Sequence, residues 1–270
     1  MDSGAGKENE IIRLEDVAVK SEEYAIVRDV SLSFSRGECT ILVGPSGCGK
    51  RTLLKTAAGL LVPDQGNVYL DGRNLLRMTD GEMRAFRKKS GFVFQDSALW
   101  ENRTIYQNLS LPLEYHFPEE TAGGIRERIA RVLEGTGLLS QTHLRPAQLS
   151  SGERKIVSFL RAVITGPDLL FMDEPTLSVD KKNMGLMYEM IRDFKQRGYT
   201  LIVVTHDADL ISWLADHLVV LDRGQVIESG PFDSVKNSSS PVVRSILSSV
   251  LAEAASYDTD ILGLLSEEER

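Results

Sequence analysis

The chain has 270 residues, 42% hydrophobic and 26% charged, with a formal net charge of −8. That length suffices for one large or two small cores, and the acidic balance argues against a nucleic-acid partner. Residues 253–270 hold six carboxylates and one Arg, so this tail carries −5 and the remaining residues only −3. Cys39 and Cys48, with no second Cys or His pair nearby, form neither a zinc pattern nor a disulfide framework, which fits a reducing compartment. No run of eighteen apolar residues occurs, so no membrane-spanning helix is expected. Residues 1–10 are polar and are expected to be a disordered N-terminus rather than a leader.

In chain order, Ile11–Val19 and Ile26–Phe34 alternate apolar and polar residues, predicting half-buried antiparallel strands. The apolar run Cys39–Val43 suits a fully buried strand, and a helix is expected over Lys50–Leu61. Turn signals at Asp64–Gly66 and Asp71–Gly72 bracket a strand at Asn67–Leu70. Thr79 or Asp80 caps a helix through Lys89, and Gly91–Phe94 reads as a buried strand ending at Gln95. A mostly helical stretch follows over 97–164, punctuated by Pro112, Pro118, Gly123–Gly124 and Pro146. Leu169–Met172, Leu201–Thr205 and Leu218–Leu221 are strand candidates, separated by helices of which Asn183–Arg197 is the longest. Alternation of this kind implies an α/β fold with a mostly parallel sheet covered on both faces. Asn237–Pro241 is the best linker candidate, dividing a domain over 11–236 from a helical acidic tail over 237–270.

Gly44-Pro45-Ser46-Gly47-Cys48-Gly49-Lys50 lies between a buried strand and a helix, the context a phosphate-binding loop requires. Its glycines let backbone N–H groups converge on phosphate oxygens, the helix start contributes its positive dipole end, and Lys50 adds a point charge. The next position ordinarily carries a Ser or Thr that ligates Mg²⁺. Here it is Arg51, which has no lone pair to offer. Thr52 sits about 100° further round the helix. Either Arg51 neutralises phosphate charge directly, or other ligands and water hold Mg²⁺. Leu169-Leu170-Phe171-Met172-Asp173-Glu174-Pro175 is an apolar strand ending in two acids, a metal-binding Asp173 and a water-polarising Glu174.

With these elements in place, Leu149-Ser150-Ser151-Gly152-Glu153 resembles the signature segment of ATP-binding cassette (ABC) ATPases. Gln95 resembles the family's Q-loop residue, Ser178-Val179-Asp180 its D-loop, and His206 its switch histidine. The motifs fall in family order across roughly residues 11–235. The resemblance implies a P-loop NTPase core with an antiparallel N-terminal β subdomain and an inserted helical subdomain at about 97–164. It implies ATP and Mg²⁺ as cofactors, and Gln95 and Asp173 on the metal. It further implies catalysis by Glu174 and His206, and a head-to-tail homodimer. There Ser150, Ser151, Gly152 and Glu153 would face the ATP held by the phosphate loop of the second copy. A transmembrane permease would anchor the chain at the cytoplasmic face of the inner membrane. Ser151 stands where the family carries Gly, Glu153 where it carries Gln, and Ser21 near the position of its adenine-stacking aromatic; with Arg51 these four departures point to slow hydrolysis. Tyr24 either stacks on adenine or packs at the sheet edge.

Phe92–Trp100, Leu111–Glu114 and Pro241–Arg244 resemble the ATPases of Mla/Mce phospholipid transport systems, implying hydrophobic cargo and an Mce-type lipid-binding component. A small-solute importer and a nucleotide switch that signals without transport remain alternatives. Leu99, Trp100 and Leu111 either form an apolar groove for a permease helix or belong to the core of the helical lobe. In the tail, Leu247, Val250, Leu251 and Ala254 share a helical face, and Ile261, Leu262, Leu264 and Leu265 form a second apolar cluster. The tail is either a docking segment or a frayed terminus.

Overall fold

The computed structural model describes residues 9–22 and 24–250. The chain divides into two units, Met1–Leu75 with Ile202–Arg270, and Leu76–Leu201. In the first unit, β1 (Glu10–Lys20) and β2 (Ala25–Ser35) pair antiparallel, with Leu14 opposite Leu32. The apolar alternation of β1 changes phase at a register shift between Leu14 and Val17. There Asp16 turns to φ +50°, and Ser31 Oγ accepts its N–H and donates to its carboxylate. A bulge of this kind keeps both halves of the strand facing the core. β3 (Cys39–Val43) is buried at every residue.

Helix α1 (Lys50–Ala57) is four residues shorter than the sequence pattern suggests. Gly59 takes φ +66°, and the Leu60 N–H returns to the Lys55 carbonyl, closing the helix with a left-handed glycine. β4 (Gln65–Leu70) pairs with the other edge of β1, and β5 (Arg73–Asn74) completes the antiparallel order β2-β1-β4-β5.

The second unit opens with α2 (Asp80–Lys88), capped by a reciprocal Thr79–Glu82 box. β6 (Ser90–Val93) stops two residues short of Gln95, which therefore lies in the following loop rather than at a strand end. Helices α3 (Ile105–His116), α4 (Ala122–Leu133) and α5 (Ser151–Val163) come next. Two supposed breakers are inside these helices. Pro112 sits within α3, and Gly123–Gly124 lie in the first turn of α4, where Thr121 caps by accepting the Gly124 N–H. β7 (Leu169–Asp173) runs parallel to β6 with Phe92 opposite Phe171, and α6 (Lys181–Gln196) follows. A Cβ on Gly91 would overlap the Ala162 carbonyl, so glycine there is what lets α5 lie close on β6.

The chain then returns to the first unit through β8 (Thr200–Val204), α7 (Ala208–Leu214) and β9 (His217–Asp222). β9 runs parallel to β3 with Ile41 opposite Leu218, and β10 (Gln225–Pro231) pairs antiparallel with β9. No strand pattern in the sequence marks β10. Its turn, Arg223–Gly224, has φ +47° and +83°, the two positive values a tight hairpin needs. After α8 (Phe232–Lys236), residues 241–250 are helical, with Val243, Ile246, Leu247 and Val250 buried. Ser238 is also buried and bonds Glu228 at 2.6 Å. Residues 237–240 form an irregular connection in which only Ser238 is buried, and the helix over 241–250 buries its Val243, Ile246, Leu247 and Val250 face. The expectations for residues 1–8, Leu251, Ala254 and the cluster at 261–265 lie outside the described residues.

Candidate functional site

In the first unit, β3 delivers the chain into Gly44 and α1 leaves it at Lys50. Gly44 has φ +152°, and a Cβ there would strike the Leu221 carbonyl and approach Cys48 Sγ. Gly49 has φ +101°, and a Cβ would sit 2.7 Å from the Ile26 carbonyl. Both positions exclude a side chain on space and on backbone angle. Pro45, Ser46 and Gly47 form an exposed crest, and Cys48 is buried, its thiol pushed up chiefly by burial.

Gly49 is the N-cap of α1 and offers no capping side chain, and no acidic residue occupies the first turn. The positive end of this helix is left to an external anion. Lys50 is 6% exposed and donates to the carbonyls of Gly44 at 2.5 Å and Pro45 at 2.9 Å, folding the loop around its ammonium. Cradle, dipole and cation fit a nucleotide phosphate chain. Arg51 projects from the first turn as an exposed residue, and Thr52 beside it is half-buried.

His206 stands half-buried between β8 and α7, after the fully buried Thr205, whose hydroxyl accepts the Asp207 N–H. Tyr24 is 63% exposed at the turn between β1 and β2, where it exchanges hydrogen bonds with Ser21.

In the second unit, Gln95 follows β6, and Asp173 and Glu174 lie at the end of β7. These strands are parallel neighbours, so the three residues gather at one carboxyl edge, the usual place for ligands in such sheets. Gln95 Oε1 is buried and accepts no hydrogen bond among the described residues. Asp173 is 2% exposed and Glu174 8%. An amide oxygen beside a buried carboxylate is a hard-oxygen donor set of the kind Mg²⁺ takes. No cluster of three or more His, Cys, Asp or Glu residues suited to a metal exists among the described residues. Water and phosphate oxygens would therefore complete the shell. Glu174 holds a left-handed backbone, φ +47°.

The signature segment forms the start of α5. Ser150 Oγ accepts the Glu153 N–H at 3.2 Å, and the Glu153 carboxylate accepts the Ser150 N–H at 2.8 Å. Glu153 thus performs the capping that a Gln would, and adds a negative charge. Ser151 is exposed, whereas a Cβ on Gly152 would collide with the Asp180 carboxylate and Asn183. Asp180 in turn caps α6. The signature and the segment Ser178–Asp180 are therefore packed as one piece.

Two cations escaped the sequence reading. Lys155, only 3% exposed, donates to the carbonyls of Glu174 at 2.9 Å and Phe94 at 3.3 Å. Burial pulls its pKa down to about 8 against the opposing pull of Asp173, Glu174 and Asp96. Arg161 donates to the carbonyls of Ala98 at 2.8 Å and Ser97 at 3.2 Å. A lysine beside Ile156, Val157, Phe159 and Leu160 on an amphipathic helix was the available signal.

A groove also opens in this unit, lined by Phe92, Phe94, Leu111, Pro112, Tyr115 and His116 together with Arg87 and Arg161. Of the three residues singled out from the sequence, only Leu111 lines it. Trp100 is 54% exposed elsewhere and Leu99 is half-buried.

Parallel strands ending in a glycine loop, an uncapped helix and a buried lysine define a P-loop nucleotide-binding protein. Residues 27–177 match the family model described as ABC transporter, and the chain belongs to that family. Among its relatives, the methionine import ATP-binding protein MetN of Brucella abortus (strain 2308) is 36% identical over 239 residues. That match covers 88% of this chain and 64% of that protein, so the chain spans just under two thirds of that relative's length. The intermembrane phospholipid transport system ATP-binding protein MlaF of Escherichia coli (strain K12) is 30% identical over 241 residues, 89% of each chain. Among solved structures, the dimeric post-hydrolysis state of the ATP-binding cassette MJ0796 bound to ADP and Pi aligns with a TM-score of 0.75 at 29% identity. It covers 82% of this chain and 98% of that one.

Proposed function

We propose that this chain is the ATP-hydrolysing subunit of an ABC transporter that moves phospholipid or other hydrophobic cargo between envelope membranes. The ATPase reading rests above all on the start of α1, where a side-chain-free left-handed cap and a buried Lys50 present a cradle for phosphate. In this reading Gly44–Thr52 holds the phosphates and Tyr24 the adenine. Gln95 and Asp173 hold Mg²⁺, which neutralises phosphate charge when bound. Glu174 orients the attacking water, and His206 holds the γ-phosphate. Arg51, in place of a hydroxyl, slows the step. A second copy of the chain brings Ser150–Glu153 to the same nucleotide. The dimeric MJ0796 cassette supports that arrangement.

The ATPase domain is taken as residues 11–236. No helix among the described residues is long and apolar enough to cross a membrane, and the aromatic groove offers a seat for a permease segment that would hold the chain at the cytoplasmic face of the inner membrane. The cargo assignment is supported by the segment Phe92–Trp100 with Leu111–Glu114 and by the likeness to MlaF. An Mce-type lipid-binding protein is the expected further component. The higher identity to MetN supports a second reading, import of a small polar solute.

Steady-state ATP hydrolysis by the chain with its permease tests the assignment. Glu174→Gln should lower turnover roughly 10²- to 10⁴-fold with ATP binding retained, and Arg51→Ser should raise it. Intact ATP binding with no hydrolysis by the wild type would move the chain to the nucleotide-switch class. Stimulation by phospholipid-loaded permease, and not by amino acids, would separate the two cargo readings.

A further inference from the structure

We propose that Lys155 is a positioning residue that ties the signature helix to the two loops presenting Gln95 and Glu174. The inference rests on the ATPase reading above for the roles of those two residues. Its geometry stands independently of it.

An ammonium group buried to 3% exposure is costly unless it is fully engaged. Lys155 meets that cost with two backbone carbonyls, one on each adjacent loop. Phe94 immediately precedes Gln95, and Glu174 carries its own carbonyl into the contact. A lysine that satisfies two carbonyls from different loops fixes their separation as well as its own position.

The backbone held in this way is strained. Glu174 lies at φ +47°, and Ser97 and Ala98 lie at φ +65° and +45°. Non-glycine residues persist in the left-handed region where surrounding contacts over-determine them. The contacts here come from one helix. Lys155, near the start of α5, holds Phe94 and Glu174, and Arg161, near its end, holds Ser97 and Ala98. Gly91 allows α5 to lie directly on β6, so the helix has little room to shift without its strand. The first turn of this same helix carries Ser150–Glu153. A nucleotide engaged at that turn therefore acts on a rigid element whose next turn grips the loops of Gln95 and Glu174.

A lysine that merely filled a polar gap would, when removed, lower stability and leave turnover of the folded protein unchanged. A positioning lysine would change turnover more than substrate binding. The experiment uses the chain with its permease and compares wild type, Lys155→Met and Lys155→Arg, below the melting temperature of each. Turnover should fall roughly 10- to 100-fold in Lys155→Met, with the KM for ATP moving less than about threefold, and Lys155→Arg should recover most of the loss. Amide hydrogen exchange should quicken at 94–98 and 174–179 and stay unchanged in β7. Turnover within about twofold of wild type, with unchanged exchange at both loops, would overturn the proposal. So would a fall in turnover reproduced in full by Lys155→Arg without loosening of either loop. Should the wild type prove inactive, the motor reading fails, and exchange alone decides for or against the clamp. Lys155→Gln, which keeps a neutral N–H donor group but not the charge, replaces Lys155→Met if that variant does not fold.

Discussion

Two helices of this chain begin in opposite ways. α1 starts on Gly49 in the left-handed region, with no capping side chain and no acid in its first turn. α5 starts on Ser150 with a complete reciprocal box, the Glu153 carboxylate lying against the N-cap N–H. Both are helix N-termini with the same intrinsic affinity for negative charge. One leaves that affinity to a ligand, and the other meets it from within. The difference shows that a helix start becomes a binding element through what the sequence withholds. A glycine where a serine would cap offers no side-chain oxygen to the first-turn N–H groups. If α5 meets phosphate as proposed, the Glu153 charge should weaken that engagement relative to a neutral Gln at position 153.

The contrast can be broken most severely at Gly49. Gly49→Ala places a Cβ 2.7 Å from the Ile26 carbonyl at φ +101°. ATP affinity, read by isothermal titration, should fall roughly 10- to 100-fold, because strain of this kind costs about 1–3 kcal/mol. Unchanged affinity would show that the loop tolerates another backbone path. At the other helix, Ser150→Ala removes the cap and should lower stability by about 1 kcal/mol in urea denaturation. Glu153→Gln sharpens the comparison, since it keeps the box and removes the charge. ATP-driven association of two copies, followed by light scattering, should strengthen about two- to fivefold, matching the roughly 0.3–1 kcal/mol of one charge at a helix end. No change would mean that the Glu153 charge does not compete with phosphate.

The smallest effect concerns pH. The ammonium of Lys155 has been pulled from its ordinary 10.5 to about 8, chiefly by burial. Above about 8 the folded chain releases a proton that the unfolded chain keeps until 10.5. Stability contributed by this group therefore rises with pH across that window and is flat below it. Urea midpoints at pH 7 and 9.5 should show the wild type gaining relative to Lys155→Met, and an equal response in both would remove Lys155 as the cause.

Much of this molecule was legible from local pattern. The apolar run Cys39–Val43, the glycine loop after it, the apolar strand closing on Asp173 and Glu174, and the signature residues each carry their meaning within a few positions. Short-range chemistry sets such features: which residues avoid a Cβ clash, which cap, which alternate. What was misjudged locally had local signals that compete with one another. Gly59 ended α1 early, and Pro112 was absorbed inside α3. Arg223–Gly224 built a hairpin that no alternation announced. The tertiary structure alone decided that Lys155 and Arg161 bind the loops around Gln95 and Glu174, that Leu111 rather than Trp100 faces the aromatic groove, and that Leu247 and Val250 are covered by this chain. Those outcomes depend on which carbonyls and apolar faces are brought together by residues as far as 64 positions apart, and separation along the chain hides them from any local reading.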